Sequence, residues 1–118
     1  MSVEELRHHC LSKPGAEETY PFDLETLVFK VGGKIFLLCS TEREPLTFNI
    51  KLKPEQSSAL RESHPCVTPG YHMNKTHWNT ILIDGSVSST MLKAWIDDSY
   101  ALIVSALPRK TRESLLAL

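Results

Sequence analysis

Between residues 46 and 53 the chain reads LTFNIKLK, apolar and polar by turns, with Leu46, Phe48, Ile50 and Leu52 to one side and Thr47, Asn49, Lys51 and Lys53 to the other. A period of two is the signature of a half-exposed β-strand. Upstream, TLVFKVGGKIFLLCS (26–40) sets two β-rich runs about Gly32-Gly33, a pair suited to the positive φ angles of a tight hairpin turn. With a two-residue loop, Val31 lies opposite Lys34, Phe29 opposite Phe36 and Leu27 opposite Leu38, and these pairs describe the core side. Val28, Ile35, Leu37 and Cys39 then make a second face less polar than a freely solvated one, which points to a covering loop, a partner or a ligand.

Helical spacing governs the two ends. Ser2-Val3-Glu4-Glu5 reads as a capping box, Val3, Leu6, Cys10 and Leu11 share a helical face, and Pro14-Gly15 stops the run. From Ser88 the residues Leu92, Trp95, Ile96, Ser99, Leu102, Ile103 and Leu107 recur at steps of three and four until Pro108, predicting the longest helix. Between these, Pro54 opens a short helix, PEQSSALRESH, that must end before Pro65. TILID (80–84) is a further strand, and Val67-Thr68 a short one before Pro69-Gly70. The tail 109–118 is a short C-terminal helix or a frayed end. The expected fold is α+β in two layers, an antiparallel sheet packed by helices in the order α-β-β-β-α-β(β)-α, forming one domain over residues 1–118.

Composition narrows the class. At 118 residues the chain has room for one core, and no apolar run approaches the ~20 residues of a membrane span. No basic-then-apolar leader opens it, so a cytoplasmic address is expected. Cys10, Cys39 and Cys66 are odd in number and form no CxxC pair, which reads as reduced thiols. The net charge of −1 is poor for binding nucleic acid by bulk electrostatics, yet the charge is uneven. Lys and Arg against Asp and Glu run 5 to 8 over residues 1–48, 4 to 2 over 49–78, and 4 to 4 over 79–118.

The basic middle third contains VTPGYHMNKTHWNTI (67–81), the chain's densest run of side chains that pair a flat ring with a polar tip. His64, Cys66, His72 and His77 tempt a zinc reading, but His72 and His77 are five apart, neither a helical pair nor a knuckle. No nucleophile elbow, SxxK or cysteine-protease signature surrounds Cys66, and no phosphate-cradling glycine loop is present. The consecutive acids Glu4-Glu5, Glu17-Glu18 and Asp97-Asp98 suit solubility better than paired acid–base work. No enzyme, metal or cofactor is therefore expected. A binding surface remains: Asn49, Lys51 and Lys53 on one side of a strand, Lys75 in the loop, and Tyr71, His72, His77 and Trp78 as rings beside it, a mixture suited to phosphates and bases. The plainer alternative has Tyr71 and Trp78 anchoring the loop while the lysines keep a sheet face wet.

The segments PGAEETYPF (14–22), VFKVGGKIFLL (28–38), NIKLKPEQSSALRE (49–62), TPGYHMNKTHWNTI (68–81) and DDSYALIVSALPRK (97–110) closely resemble the MmcQ/YjbR family of small bacterial proteins. The likeness runs from the first helix to Pro108, and PGYHMNKTHW is its most specific part. The resemblance implies a CyaY-like two-layer fold and DNA binding of a double-wing kind, in which β-hairpins flank the duplex, with no activity or cofactor attached. Iron binding is not carried over, because the first helix offers only Glu4 and Glu5, with Glu17 and Glu18 beyond it.

The leading expectation is thus a non-enzymatic, monomeric DNA-binding protein. Lys51, Lys53 and Lys75 would meet phosphates and Lys34 would act from the hairpin tip, while Asn74, His72, His77, Tyr71 and Trp78 shape or stack at the surface. Neutralising only about three or four phosphates makes the affinity weak and salt-sensitive. The rival is a small-molecule or protein-binding module with a pocket under the PGYHMNKTHW loop, roofing Val28, Ile35 and Leu37.

Overall fold

Helix α1 (Val3–Leu11) begins at its cap, where Ser2 Oγ accepts from the Glu5 amide at 3.1 Å. Glu5 itself reaches Lys93 Nζ at 3.4 Å. Leu6 and Cys10 are fully buried, but Leu11 is exposed, so the helix buries a narrower stripe than its spacing predicts. The computed structural model describes residues 1–20, 25–70 and 73–118.

Strands β2 (Thr26–Val31) and β3 (Lys34–Ser40) turn on Gly32 and Gly33, at φ +57° and +78°. Val31 pairs with Lys34 and Lys30 with Ile35, as a two-residue loop requires. Then a bulge intervenes: Phe29 pairs with Leu37, Val28 with Leu38 and Leu27 with Cys39. The expected pairs Phe29–Phe36 and Leu27–Leu38 are displaced by one residue, which turns Leu37 and Cys39 to the core side and leaves Leu38 on the outer one. Packing explains the slip. Two consecutive large apolar residues, Phe36 and Leu37, are both fully buried, and Phe36 meets Tyr100 edge-on at 5.4 Å; a regular strand would have sent one of them outward.

The sheet continues through β4 (Thr47–Lys51) and β6 (Trp78–Leu82), with β1 (Glu17–Thr19) and β5 (Val67–Pro69) at its edges, in the order β1-β2-β3-β4-β6-β5 with every pair antiparallel. Strand β1 has no apolar alternation to announce it. It pairs with β2, and Arg7 grips Glu18 through two hydrogen bonds of 2.8 and 2.6 Å. Strand β6 starts at Trp78, two residues before the run of β-branched residues.

Register fixes the faces, since paired residues share a side. Leu27, Phe29, Leu37, Cys39, Phe48, Ile50, Ile81 and Val67 lie on one face and are buried. Helices α1, α2 (Pro54–Ser63) and α3 (Ser89–Ser105) pack there. Helix α3 contributes Leu92, Trp95, Ile96, Ser99 and Ile103, while Leu102 of the expected stripe is only half-buried. The tail resolves as helix α4 (Arg109–Leu116), whose Leu115 rests on the same core. Among the described residues no helix is long and apolar enough to cross a membrane.

Candidate functional site

The ladder between β3 and β4 ends at the pair Leu37–Ile50, although β3 runs on to Lys34. Past the last rung a single hydroxyl takes over: Ser99 Oγ donates to the Phe36 carbonyl at 2.7 Å and accepts from the Lys51 amide at 3.0 Å. Beyond this pin the hairpin tip and the end of β4 stand apart, and a cleft of about 480 Å³ opens between them. Lys30 and Lys34 line it from the hairpin, Lys51 and Trp78 from the opposite strands. Ile35, with Ile103 from the end of α3 and Leu107 just beyond it, supplies its apolar part.

Trp78 and Lys51 are direct cross-strand partners, so the indole and the ammonium stem stand side by side on the sheet. The indole's backbone is held from several directions. The Gly70 amide donates to the Trp78 carbonyl at 2.8 Å, and a Cβ on Gly70 would lie 3.1 Å from that of Trp78, so glycine is what lets the two segments close. From behind, Arg61 donates to the Trp78 carbonyl at 3.0 Å, the Lys75 carbonyl at 2.6 Å and Asn79 Oδ1 at 2.8 Å. Asn79, fully buried, passes the network on to Ser57 Oγ and the His77 carbonyl. Part of the positive charge of the middle third is therefore spent inward, holding a loop in place.

Of the residues expected at the site, Lys34, Lys51 and Trp78 come together; the others lie elsewhere or play other parts. Lys53 follows the end of β4, where alternation stops, and as the N-cap of α2 it lines a different hollow of about 300 Å³ with Gln56, Asp98 and Leu102. Lys75 is an exposed loop residue that does not line the cleft. Asn74 builds the turn, its Oδ1 accepting from the Thr76 amide at 3.0 Å. His77 gives its carbonyl to the Leu52 amide at 2.8 Å. Asn49 is half-exposed on the sheet face and accepts from the Thr80 hydroxyl. Tyr71 and His72 lie outside the described residues. The pocket expected over Val28, Ile35 and Leu37 is not formed by those three, because the bulge carries Leu37 to the core and only Ile35 reaches the cleft.

Lys30 also lines the cleft, although it is not among the residues expected there. The available signal was its alternation with Val28, which puts it beside Ile35 on the outer face. Lys30, Lys34 and Lys51 form no ion pair among the described residues, although Glu17 is the cross-strand neighbour of Lys30. All three thiols are buried. Burial pushes the Cys10 thiol up to about 12 and the Cys39 thiol to about 11, far from a reactive thiolate. Cys66 is buried, and the His64 ring packs edge-on against Trp95 at 5.2 Å. Among the described residues no three His, Cys, Asp or Glu side chains gather as metal ligands.

Comparison with known proteins agrees with this architecture. A structure of the Deinococcus radiodurans protein DR2400, a DUF419 domain, superposes with a TM-score of 0.92 at 38% identity, covering 97% of this chain and 87% of that one. A Pseudomonas syringae protein gives a TM-score of 0.75 at 25% identity over 86% of this chain and 98% of its own. The uncharacterized Escherichia coli K12 protein YjbR is 33% identical over 118 residues, the full length of both. YbdF of Escherichia coli O157:H7 is 36% identical over 110 residues, 93% of this chain and 90% of its own. The sequence model of the YjbR family matches residues 11–102, and with the full-length likeness to YjbR it establishes that the chain belongs to the YjbR family.

Proposed function

We propose that the protein binds DNA without acting on it chemically, through the cleft between the hairpin tip and the ends of β4 and β6. The observation that carries this reading is the convergence of Lys30, Lys34 and Lys51 about the half-exposed Trp78. Ammonium groups that form no ion pair among the described residues are available to phosphates, and an indole offers a face to a base or a sugar. The hairpin tip is braced rather than free: Gly32 packs so closely on Leu107 and Thr111 that a Cβ there would come within 2.7 Å of Leu107. A cleft mode of binding suits such a tip better than a projecting wing does.

The test is a fluorescence anisotropy titration at low salt with a labelled oligonucleotide. The native chain should bind in the micromolar range, and the Lys30→Ala, Lys34→Ala, Lys51→Ala triple variant should bind at least about 10-fold more weakly. The Lys53→Ala, Lys75→Ala double variant, altered outside the cleft, should lose less. Absence of binding at ~100 μM, or equal binding by the triple variant, removes the proposal. The apolar part of the cleft also favours a second reading, a small anionic metabolite with a planar ring. A rise in melting temperature with such compounds and none with oligonucleotides would select it.

A further inference from the structure

The cleft is a mixed surface, and the mixture is informative. Lysines alone would serve any polyanion, but between them lie the Trp78 indole and Ile35, over a largely buried floor of Ile103 at the end of α3 and Leu107 just beyond it. In a duplex the faces of the bases are stacked on one another and the outside offers chiefly phosphate and sugar. Such a ligand would satisfy the three lysines and leave the apolar part unused. A nucleotide with an unpaired base has what the remaining surface lacks: a flat apolar face for the indole and the aliphatic side chains, flanked in the chain by a phosphate on either side.

We infer that the cleft takes up one unpaired base with its neighbouring phosphates, so that this chain prefers single-stranded DNA to duplex. This rests on the nucleic-acid reading above. Its volume of about 480 Å³ falls within the range of small-ligand sites, roughly 300 to 1,000 Å³. The backbone of Trp78 is already held in the free protein by Gly70, by Arg61 and by pairing with Lys51, so little backbone ordering cost falls on binding. Among the described residues lining the cleft, no side chain apart from the lysines carries a hydrogen-bonding group other than the indole N–H. Stacking would therefore be tolerant of base identity.

Three ligands of equal length separate the possibilities by anisotropy at low salt: a thymidine oligomer of about 12 nucleotides, the same backbone with abasic sites throughout, and a hairpin duplex. The intact single strand should bind at least about 10-fold more tightly than either of the others, the scale of one stacked base. Trp78→Leu should reduce its affinity to that of the abasic strand, and Trp78→Phe should restore most of the loss. Should Trp78→Leu not fold, the comparison of intact with abasic strand on the native protein decides by itself. Equal affinity for duplex and single strand, or for abasic and intact strand, overturns the inference; if that binding still depends on the three lysines, the broader DNA reading survives. No binding to any of the three overturns both.

Discussion

Ser99 shows how much one side chain can carry. Its hydroxyl bridges the Phe36 carbonyl and the Lys51 amide where the β3–β4 ladder has run out, so it both closes the sheet and sets the inner end of the cleft. Replacing it by alanine leaves the Lys51 amide without its acceptor in a partly buried place. The expected cost is about 1–3 kcal/mol, read as a lower urea midpoint with little change in slope. Helical spacing placed Ser99 on the buried stripe of α3, but nothing in the sequence shows that its partners are backbone groups of two different strands. That depends on a bulge, and a bulge is a decision of the packing.

At the level of elements, what was legible is what alternates or repeats. The β4 strand, the glycine hairpin and the apolar steps of α3 follow from their periods. The bulge was not legible, because KIFLLCS is apolar on both sides of the strand and either register satisfies the pattern. Nor was β1, whose Glu-Glu-Thr becomes a strand only because β2 offers an open edge. Two elements are tied by charges whose removal has defined consequences. Arg61 of α2 holds the 75–79 segment through three hydrogen bonds, so Arg61→Gln should speed amide hydrogen exchange at Gly70 and Trp78 well before global unfolding. Asp97 of α3 accepts from Lys13 at 2.6 Å and His9 at 2.7 Å. Burial pushes its carboxyl up, but the hydrogen bonds from Lys13 and His9 together hold it below the ordinary 3.8. A carboxylate depressed in the folded state adds stability that is full well above 3.8 and is lost as pH falls through the lower folded value. Denaturation midpoints of the native chain should therefore drop more steeply below about pH 4 than those of Asp97→Asn.

Over the whole molecule the net charge is −1, so attraction to a polyanion must be local. With three lysines in the cleft, the logarithm of the binding constant should fall with the logarithm of salt concentration at a slope between about −2 and −3, and each lysine removed should flatten it by close to one. A slope near zero would mean that the ammonium groups do not meet phosphate. The site was half legible for a topological reason. The basic strand and the tryptophan segment each stood out in the sequence, but that β6 lies beside β4, setting Trp78 against Lys51, depends on a crossover through α2 that no local pattern encodes. Lys53 parts from Lys51 because β4 ends between them, and Lys30 comes in through its hairpin pairing with Ile35.

The contrast between the two indoles has a practical outcome. Trp95 is sealed at 5% exposure beneath an imidazole, whereas Trp78 is half open to water at the mouth of the cleft. The chain thus holds two emitters of different colour, one shielded and one within reach of a dissolved quencher such as iodide. Occupancy of the cleft can be followed as protection of the redder component alone, with no dye attached and the bluer one serving as an internal standard.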